Sequence, residues 1–328
     1  MFSVLITRRL PSSALAILRD VAELDIAGDG LDRPALLSRV AGKHALVSVL
    51  TDGVDAAVLD AAGPSLRIVA NVAVGYDNVD VRAARARGIT VSHTPDVLTG
   101  ATAEFTWALI FAATRRLTEG DRLVRSGGWK GWALDLLVGT ELDGKQIGII
   151  GAGRIGRAVA ARARAFGVRP VFAERRQRPP VRDLHAPGVI RRTANASSDV
   201  FVPLDELLAT SDIVSLHVPL HDGTRHLIDR RALARMKRSA YLINTSRGPV
   251  VDEEALVWAL GERLIAGAAL DVFEHEPAVH PGLVAFDNVV LAPHLASATC
   301  ETRTAMAELA VRNVVAVLQG RPAPTPVP

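Results

Sequence analysis

Arg247, Asp271, Glu276 and His294 each fall at or just past the end of a short apolar run. The runs Tyr241–Asn244, Ile265–Leu270 and Asn288–Leu291 predict buried parallel strands. Loops at the carboxyl ends of such strands are where α/β proteins bind ligands. Hydride transfer to a 2-oxo acid needs a cation that holds the carboxylate and polarises the carbonyl. It also needs a proton donor for the alkoxide, and a negative charge that favours the protonated donor. Arg247 presents a planar fork that matches a carboxylate. His294 can give or take the proton, and Glu276 can favour and orient its charged ring. Singly, Arg247 reads as a helix-capping arginine, His294 as a core histidine and Glu276 as a loop carboxylate. Their convergence on one strand edge favours the chemical reading.

That edge would also hold a glycine loop. In KQIGIIGAGRIGRAVAARAR, Lys145 to Arg164, the apolar run Ile147–Ile150 precedes Gly151, Gly153 and Gly156, with Arg154 and Ile155 between them. A strand, a turn of this spacing and a helix start make the dinucleotide-binding fingerprint. Gly151 suits the tight turn, Gly153 the approach of a pyrophosphate, and Gly156 close packing of helix on strand. The phosphates would lie on free N–H groups at the positive end of the helix. A second run, Pro170–Ala173, ends at Glu174, 23 residues after Gly151. The acidic residue that binds the adenosine ribose is expected roughly 20 residues on. Glu174 favours NAD, whereas Arg175 and Arg176 could clamp the extra phosphate of NADP. The balance leans slightly to NAD.

The elements around these residues form two α/β sets. The 328 residues are too many for one typical core. In the first set, strands at Phe2–Ile6, Leu24–Ala27, Ala45–Leu50, Leu66–Ala70 and Ile89–Ser92 alternate with helices. Asp32 caps one helix and Pro34 sits in its first turn. The first strand has no glycine loop, but Leu50–Gly53 and Asn71–Asp77 follow later strands. Val74 and Gly75 could offer backbone N–H groups to a small anion. Thr99–Arg116 predicts a long apolar helix whose Trp107 and Phe111 suit interdomain or subunit packing. The glycine-rich arm after it carries Trp129 and Trp132, which fit a subunit contact, a ligand rim or a local core. Past Glu174 the sequence looks irregular. A last helix, Thr299–Leu318, would return to the first set, and the Pro-rich tail after it reads as frayed.

Other chemistries find little support. The formal charge is only +3, without a basic face interleaved with aromatics, so no nucleic-acid partner is expected. No apolar stretch approaches the roughly 18 residues of a membrane span. The apolar run at the start precedes its arginines, the reverse of a secretory signal. The single cysteine, Cys300, suits a cytoplasmic protein. His217 and His221 lack a third partner, so no metal is expected. Neither a serine elbow nor a Walker lysine occurs.

Along nearly its whole length the chain resembles the D-isomer-specific 2-hydroxyacid dehydrogenase family. The segments are NVAVGYDNVD, TPDVLTGATAEFTWALIFAATRR, GKQIGIIGAGRIG, LINTSRGPVVDEEAL, ALDVFEHEP and LAPHLASAT. Within that family it is most similar to glyoxylate/hydroxypyruvate reductases. The resemblance implies two Rossmann-like doubly wound parallel sheets, with the cofactor domain (99–292) inserted into a flavodoxin-like substrate domain (1–98 plus 293–328). It implies Arg247, Glu276 and His294 as the catalytic set, with Val74, Gly75, Leu50, Arg247 and Trp132 around the substrate. Trp132 would come from the arm of a partner in a homodimer. The cofactor would be met by Thr102, the glycine loop (Gly151, Gly153, Arg154, Ile155, Gly156), Glu174, Arg175, Arg176, Val218, Pro219, Thr245, Asp271, His294 and Ala296. Asp271 would hold the nicotinamide carboxamide. Ala296 stands where many members have glycine. Two other readings stay open: a D-3-phosphoglycerate dehydrogenase-like enzyme, and a dinucleotide-sensing binding protein like the corepressors built on this fold.

Overall fold

The computed structural model describes residues 1–173 and 199–328. Glu174, Arg175 and Arg176 therefore lie outside the described residues. In chain order the elements begin β1 (Phe2–Ile6), α1 (Ser12–Arg19), β2 (Ala22–Ile26), α2 (Arg33–Val40), β3 (Ala45–Ser48), α3 (Ala56–Ala62), β4 (Ile68–Asn71), α4 (Val81–Ala86) and β5 (Thr90–Ser92). They continue α5 (Thr99–Thr114), α6 (Leu117–Arg125), β6 (Gln146–Ile150), α7 (Arg154–Ala163), β7 (Arg169–Ala173), α8 (Leu204–Thr210), β8 (Ile213–Leu216), α9 (Arg230–Arg235) and β9 (Tyr241–Asn244). The last are α10 (Glu253–Gly261), β10 (Gly267–Leu270), α11 (Pro281–Val284), β11 (Val289–Leu291) and α12 (Cys300–Leu318). The chain divides into two compact units, Met1–Ala101 with Ser297–Pro328, and Thr102–Ala296.

The first unit holds a parallel sheet of order β2-β1-β3-β4-β5, the flavodoxin-like order. Its central strands β3 and β4 are buried along their length, as expected when helices cover both faces. Aspartates start α2 and α3: Asp32 accepts from the Ala35 N–H at 2.8 Å and Asp55 from the Val58 N–H at 3.1 Å. α12 packs on α1, β3, β4 and β5, so the last helix does return to this unit. The tail is not frayed. Thr325 donates through its N–H to Asn313 Oδ1 at 2.8 Å and through its hydroxyl to the His93 carbonyl at 2.6 Å. The Val327 N–H donates to the Val91 carbonyl at 2.8 Å, and its side chain is buried. The proline content misled because prolines at alternate positions leave the intervening N–H groups free to bond.

The second unit holds a parallel sheet of order β11-β10-β9-β8-β6-β7. Its strand order reverses between β6 and β8, the topological switch point where open α/β sheets take ligands. Beneath the sheet, Phe172, Ile147 and Ile149 are fully buried, each such side chain contributing about 1.5–3 kcal/mol. α5 stops at Thr114, two residues short of the expected end, because Arg116 takes φ 51° and opens α6. Arg116 is fixed there by a two-armed bond to Glu119 at 3.0 and 2.7 Å. Trp107 and Phe111 pack with Phe166 inside this unit, and the Trp107 indole donates to the Val159 carbonyl at 3.1 Å. The pair is thus part of this unit's own core. The arm stays open to solvent, with Trp129 54% and Trp132 82% exposed, so it forms no local core.

Candidate active site

His294 lies three residues past β11 with its backbone at φ 57°, a conformation that costs a non-glycine residue about 1–2 kcal/mol. Asp271 holds it there. Its carbonyl accepts from the His294 N–H at 2.9 Å, and its two carboxylate oxygens accept from Leu295 and Ala296 at 2.6 and 2.9 Å. Asp271 is fully buried, and burial raises its pKa against the lowering effect of those bonds and of His294.

Glu276 Oε2 accepts from His294 Nδ1 at 2.9 Å, while Glu276 Oε1 accepts from the Phe273 N–H at 3.0 Å. Burial works to raise the Glu276 pKa. The His294 bond and charge, the Phe273 bond and the Arg247 charge outweigh it and hold Glu276 below the usual carboxylate range. An ionised carboxylate only accepts, so Nδ1 carries the hydrogen and Nε2 is the atom left to exchange a proton. Both side chains keep about a quarter of their surface open, at 23% for His294 and 26% for Glu276. Arg247 follows β9 by three residues. Asn244 shapes its turn by donating to the Arg247 carbonyl at 3.0 Å and accepting from the Ser246 N–H at 3.0 Å. Sequence reasoning missed Asn244, whose place as the last residue of a buried strand was the available signal.

The glycine loop runs from β6 into α7. Gly151 has φ 105°, and a Cβ there would lie 2.6 Å from the His217 carbonyl oxygen and 3.1 Å from Val218 Cγ1. At Gly156 a Cβ would overlap the Gly151 carbonyl oxygen and sit 3.0 Å from Ile149 Cγ2. At Gly153 it would meet nothing within 4 Å. Two of the glycines are thus required by the fold, and Gly153 is not. Gly153 and Arg154 are exposed and Ile155 half-buried at the start of α7, where free N–H groups gather. After β8, Val218 is half-buried and Pro219 exposed. His217, half-buried, bonds Ser215 Oγ at 2.9 Å, and desolvation pushes its pKa down to about 3, so it stays neutral. Thr102 and Thr245 are buried and joined through Thr106, whose hydroxyl bonds the Thr102 carbonyl at 2.8 Å and Thr245 Oγ1 at 3.0 Å. The acidic-and-basic stretch Glu174, Arg175 and Arg176 is outside the described residues.

In the first unit, Leu50 is half-buried after β3, and Val74 and Gly75 are half-buried after β4. His93 Nδ1 donates to the Val74 carbonyl at 2.8 Å, and Asn71 Nδ2 to the Gly75 carbonyl at 3.0 Å. The peptide whose Val74 carbonyl accepts from His93 carries the Gly75 N–H, and the peptide whose Ala73 carbonyl accepts from the Thr94 N–H at 2.8 Å carries the Val74 N–H, so each N–H turns away from those bonds. Among the described residues the Val74 and Gly75 N–H groups meet no acceptor. His93 and Asn71 were not anticipated. Among the described residues no cluster of His, Cys, Asp or Glu has the makings of a metal site, and no helix is long and apolar enough to cross a membrane.

Comparison with known proteins defines the class first. A family described as D-isomer specific 2-hydroxyacid dehydrogenase, NAD binding domain, matches residues 107–296. A glyoxylate reductase from Thermococcus onnurineus is 47% identical over 98% of this chain and 94% of its own length. A solved structure of a protein from Thermus thermophilus superposes with a TM-score of 0.90 at 45% identity, covering all of both chains. An NADPH-dependent glyoxylate/hydroxypyruvate reductase from Sinorhizobium meliloti, solved with NADP and malonate, gives 0.85 at 34% identity over 99% of this chain and 96% of that one. The chain belongs to the D-isomer specific 2-hydroxyacid dehydrogenase family. It is an oxidoreductase that uses a nicotinamide dinucleotide.

Proposed function

We propose that the protein reduces glyoxylate or hydroxypyruvate to the corresponding 2-hydroxy acid, with Arg247, Glu276 and His294 as its catalytic residues. The observation that carries this is the His294–Glu276 pair, with Arg247 close enough to bias the Glu276 charge. The kinship to glyoxylate reductases supports the substrate. The residues present fit a dinucleotide: the open Gly153 backbone at the start of α7 suits a pyrophosphate, with Arg154 and Ile155 beside it. Thr102, Val218, Pro219, Thr245 and Ala296 complete its candidate contacts in the second unit. Asp271 is the candidate for the carboxamide, through the acceptor capacity its two N–H partners leave. When bound, the nicotinamide supplies the hydride.

Arg247 holds the substrate carboxylate and draws electron density toward the carbonyl oxygen. His294 Nε2 gives its proton to that oxygen as the alkoxide charge develops. Glu276 stabilises the charged ring before the transfer and fixes its orientation throughout. In the first unit, Val74 and Gly75 bind a carboxylate through N–H groups, and Leu50 limits the side chain beside them. The lean to NAD rests on Glu174, which can accept from the adenosine ribose and would repel a 2′-phosphate. The exposed arm with Trp132 is assigned to a homodimer contact and a substrate rim. Cys300, exposed and unbridged, fits a reducing cytoplasm.

The test is nicotinamide absorbance with glyoxylate, hydroxypyruvate, pyruvate and phosphohydroxypyruvate, each with NADH and NADPH. Turnover led by glyoxylate or hydroxypyruvate supports the proposal. A preference for the phosphorylated acid moves it to the phosphoglycerate dehydrogenase reading. No turnover with any of them overturns it.

A further inference from the structure

Two carboxylates beside the site take no part in the chemistry just described. Glu253 opens α10, and Glu274 follows Phe273. The Glu274 N–H donates to Glu253 Oε1 at 2.8 Å, and Glu274 Oε2 lies 3.5 Å from the Glu253 backbone nitrogen. This is the reciprocity of a helix capping box, made between residues 21 apart. Glu253 is 4% exposed and gains from the free N–H groups of the helix start. The other Glu274 oxygen accepts from His226 Nε2 at 2.6 Å, with Arg225 at 3.7 Å. His226 in turn donates its backbone N–H to the Pro249 carbonyl at 2.8 Å.

These bonds join the segments that carry Arg247 and Glu276. Arg247 precedes Gly248, whose Cα is pressed against the Phe273 peptide, since a Cβ there would overlap that peptide and lie 2.5 Å from the Glu274 nitrogen. Phe273 donates to Glu276 on the other side. The spacing between Arg247 and the Glu276–His294 pair is therefore set at the Gly248–Phe273 contact. The carboxylate bonds hold that contact closed, Glu253 from the helix start and His226 from the Pro249 carbonyl.

Resting on the reading that Arg247 and His294 act on the substrate, we propose that Glu253, Glu274 and His226 are positioning residues that fix Arg247 relative to the Glu276–His294 pair. Glu253 accepts through one oxygen, so an amide there preserves its bond; both Glu274 oxygens accept, so an amide there keeps only one of its two bonds, and a methyl at either position keeps none. A misplacement of about 1 Å costs up to about 100-fold in rate.

The experiment uses the full chain with glyoxylate. Glu274→Ala and Glu253→Ala should lower kcat at least about 10-fold while leaving dinucleotide Kd within about 2-fold. Glu253→Gln should recover at least half of the wild-type kcat, and Glu274→Gln, which keeps one of two bonds, should fall between Glu274→Ala and wild type. Arg247→Ala/Glu274→Ala should be no slower than Arg247→Ala, because a lost position cannot matter once the positioned group is gone. Wild-type kcat in Glu274→Ala, or losses that multiply in the double variant, overturn the proposal. Should an alanine variant fail to fold, His226→Ala removes one bond of the set and is expected to show the same split. Arg247→Ala at near wild-type turnover overturns the catalytic reading and this proposal together. A slow Arg247→Ala beside a fast Glu274→Ala overturns the positioning alone.

Discussion

Gly153→Ala separates what the fold needs from what the ligand needs. The residue sits at φ −73° and ψ −171°, which alanine adopts freely. Its Cβ would meet nothing within 4 Å. Replacing glycine by alanine where the backbone permits it stabilises by about 0.4–1 kcal/mol, and the weaker N-cap quality of alanine takes back a similar amount. Net stability should stay within about 1 kcal/mol, a shift of about 2–4 °C for a unit of this size. The methyl would occupy the space through which a pyrophosphate reaches the loop N–H groups. Losing one charge-assisted bond costs about 1.5–3 kcal/mol, so NADH and NADPH should both bind about 10- to 100-fold more weakly. Gly156→Ala is the contrast, since its methyl overlaps the Gly151 carbonyl and should cost about 1–3 kcal/mol of stability. Differential scanning fluorimetry and titration of intrinsic tryptophan fluorescence read both quantities. Wild-type affinity in a well-folded Gly153→Ala protein would refute the placement of the phosphates.

His294→Ala should lower kcat by about 100- to 10,000-fold with dinucleotide affinity nearly intact, and a retained rate in the absorbance assay would contradict its proton role. Burial raises the Glu253 pKa above its ordinary 4.5, so the stability this group contributes is full below about pH 4.5 and is lost as pH rises through its folded value. The Tm of Glu253→Gln should therefore gain on wild type between about pH 4.5 and 7; a flat difference speaks against it. Glu276 has the opposite sign, because its pKa is lowered. Its stabilising contribution is present above about pH 4.5 and disappears as pH falls through the folded value, so the Tm difference between wild type and Glu276→Gln should shrink in acid. Trp132→Arg should shift sedimentation toward a smaller species if the arm joins two copies.

Elements with a strong local signal were legible in the sequence. β1 and β9 fall on the expected residues because short apolar runs bounded by polar turns have few alternatives. Asp32 announced its helix by capping chemistry that depends on neighbours in sequence. α4 and α6 were not anticipated; α6 has no buried residue to set a pattern, and α4 buries only Ala84. The pairing of Glu276 with His294 followed from strand ends converging on one edge. The groups that hold this pair and the first-unit loop in place, Asp271, Asn71 and His93, act through partners between 4 and 25 residues away. Spacing alone does not reveal such bonds, because each depends on a carbonyl or N–H turned by the finished fold.

The tail has a further consequence. The His93 N–H donates to the Thr325 carbonyl and the Val327 N–H to the Val91 carbonyl, so the tail lies antiparallel along β5, bridged at Ser92 and Pro326. A bare outer strand is a template on which another chain can add itself. Here the covering segment has proline at 322, 324, 326 and 328, and proline has no N–H to offer the next strand. The β5 edge of the sheet, as distinct from the β2 edge, thus ends in a segment whose prolines offer no N–H to a further strand. The expected consequence is protection of this edge from strand addition, so a chain clipped at Arg321 should precipitate more readily than the full chain.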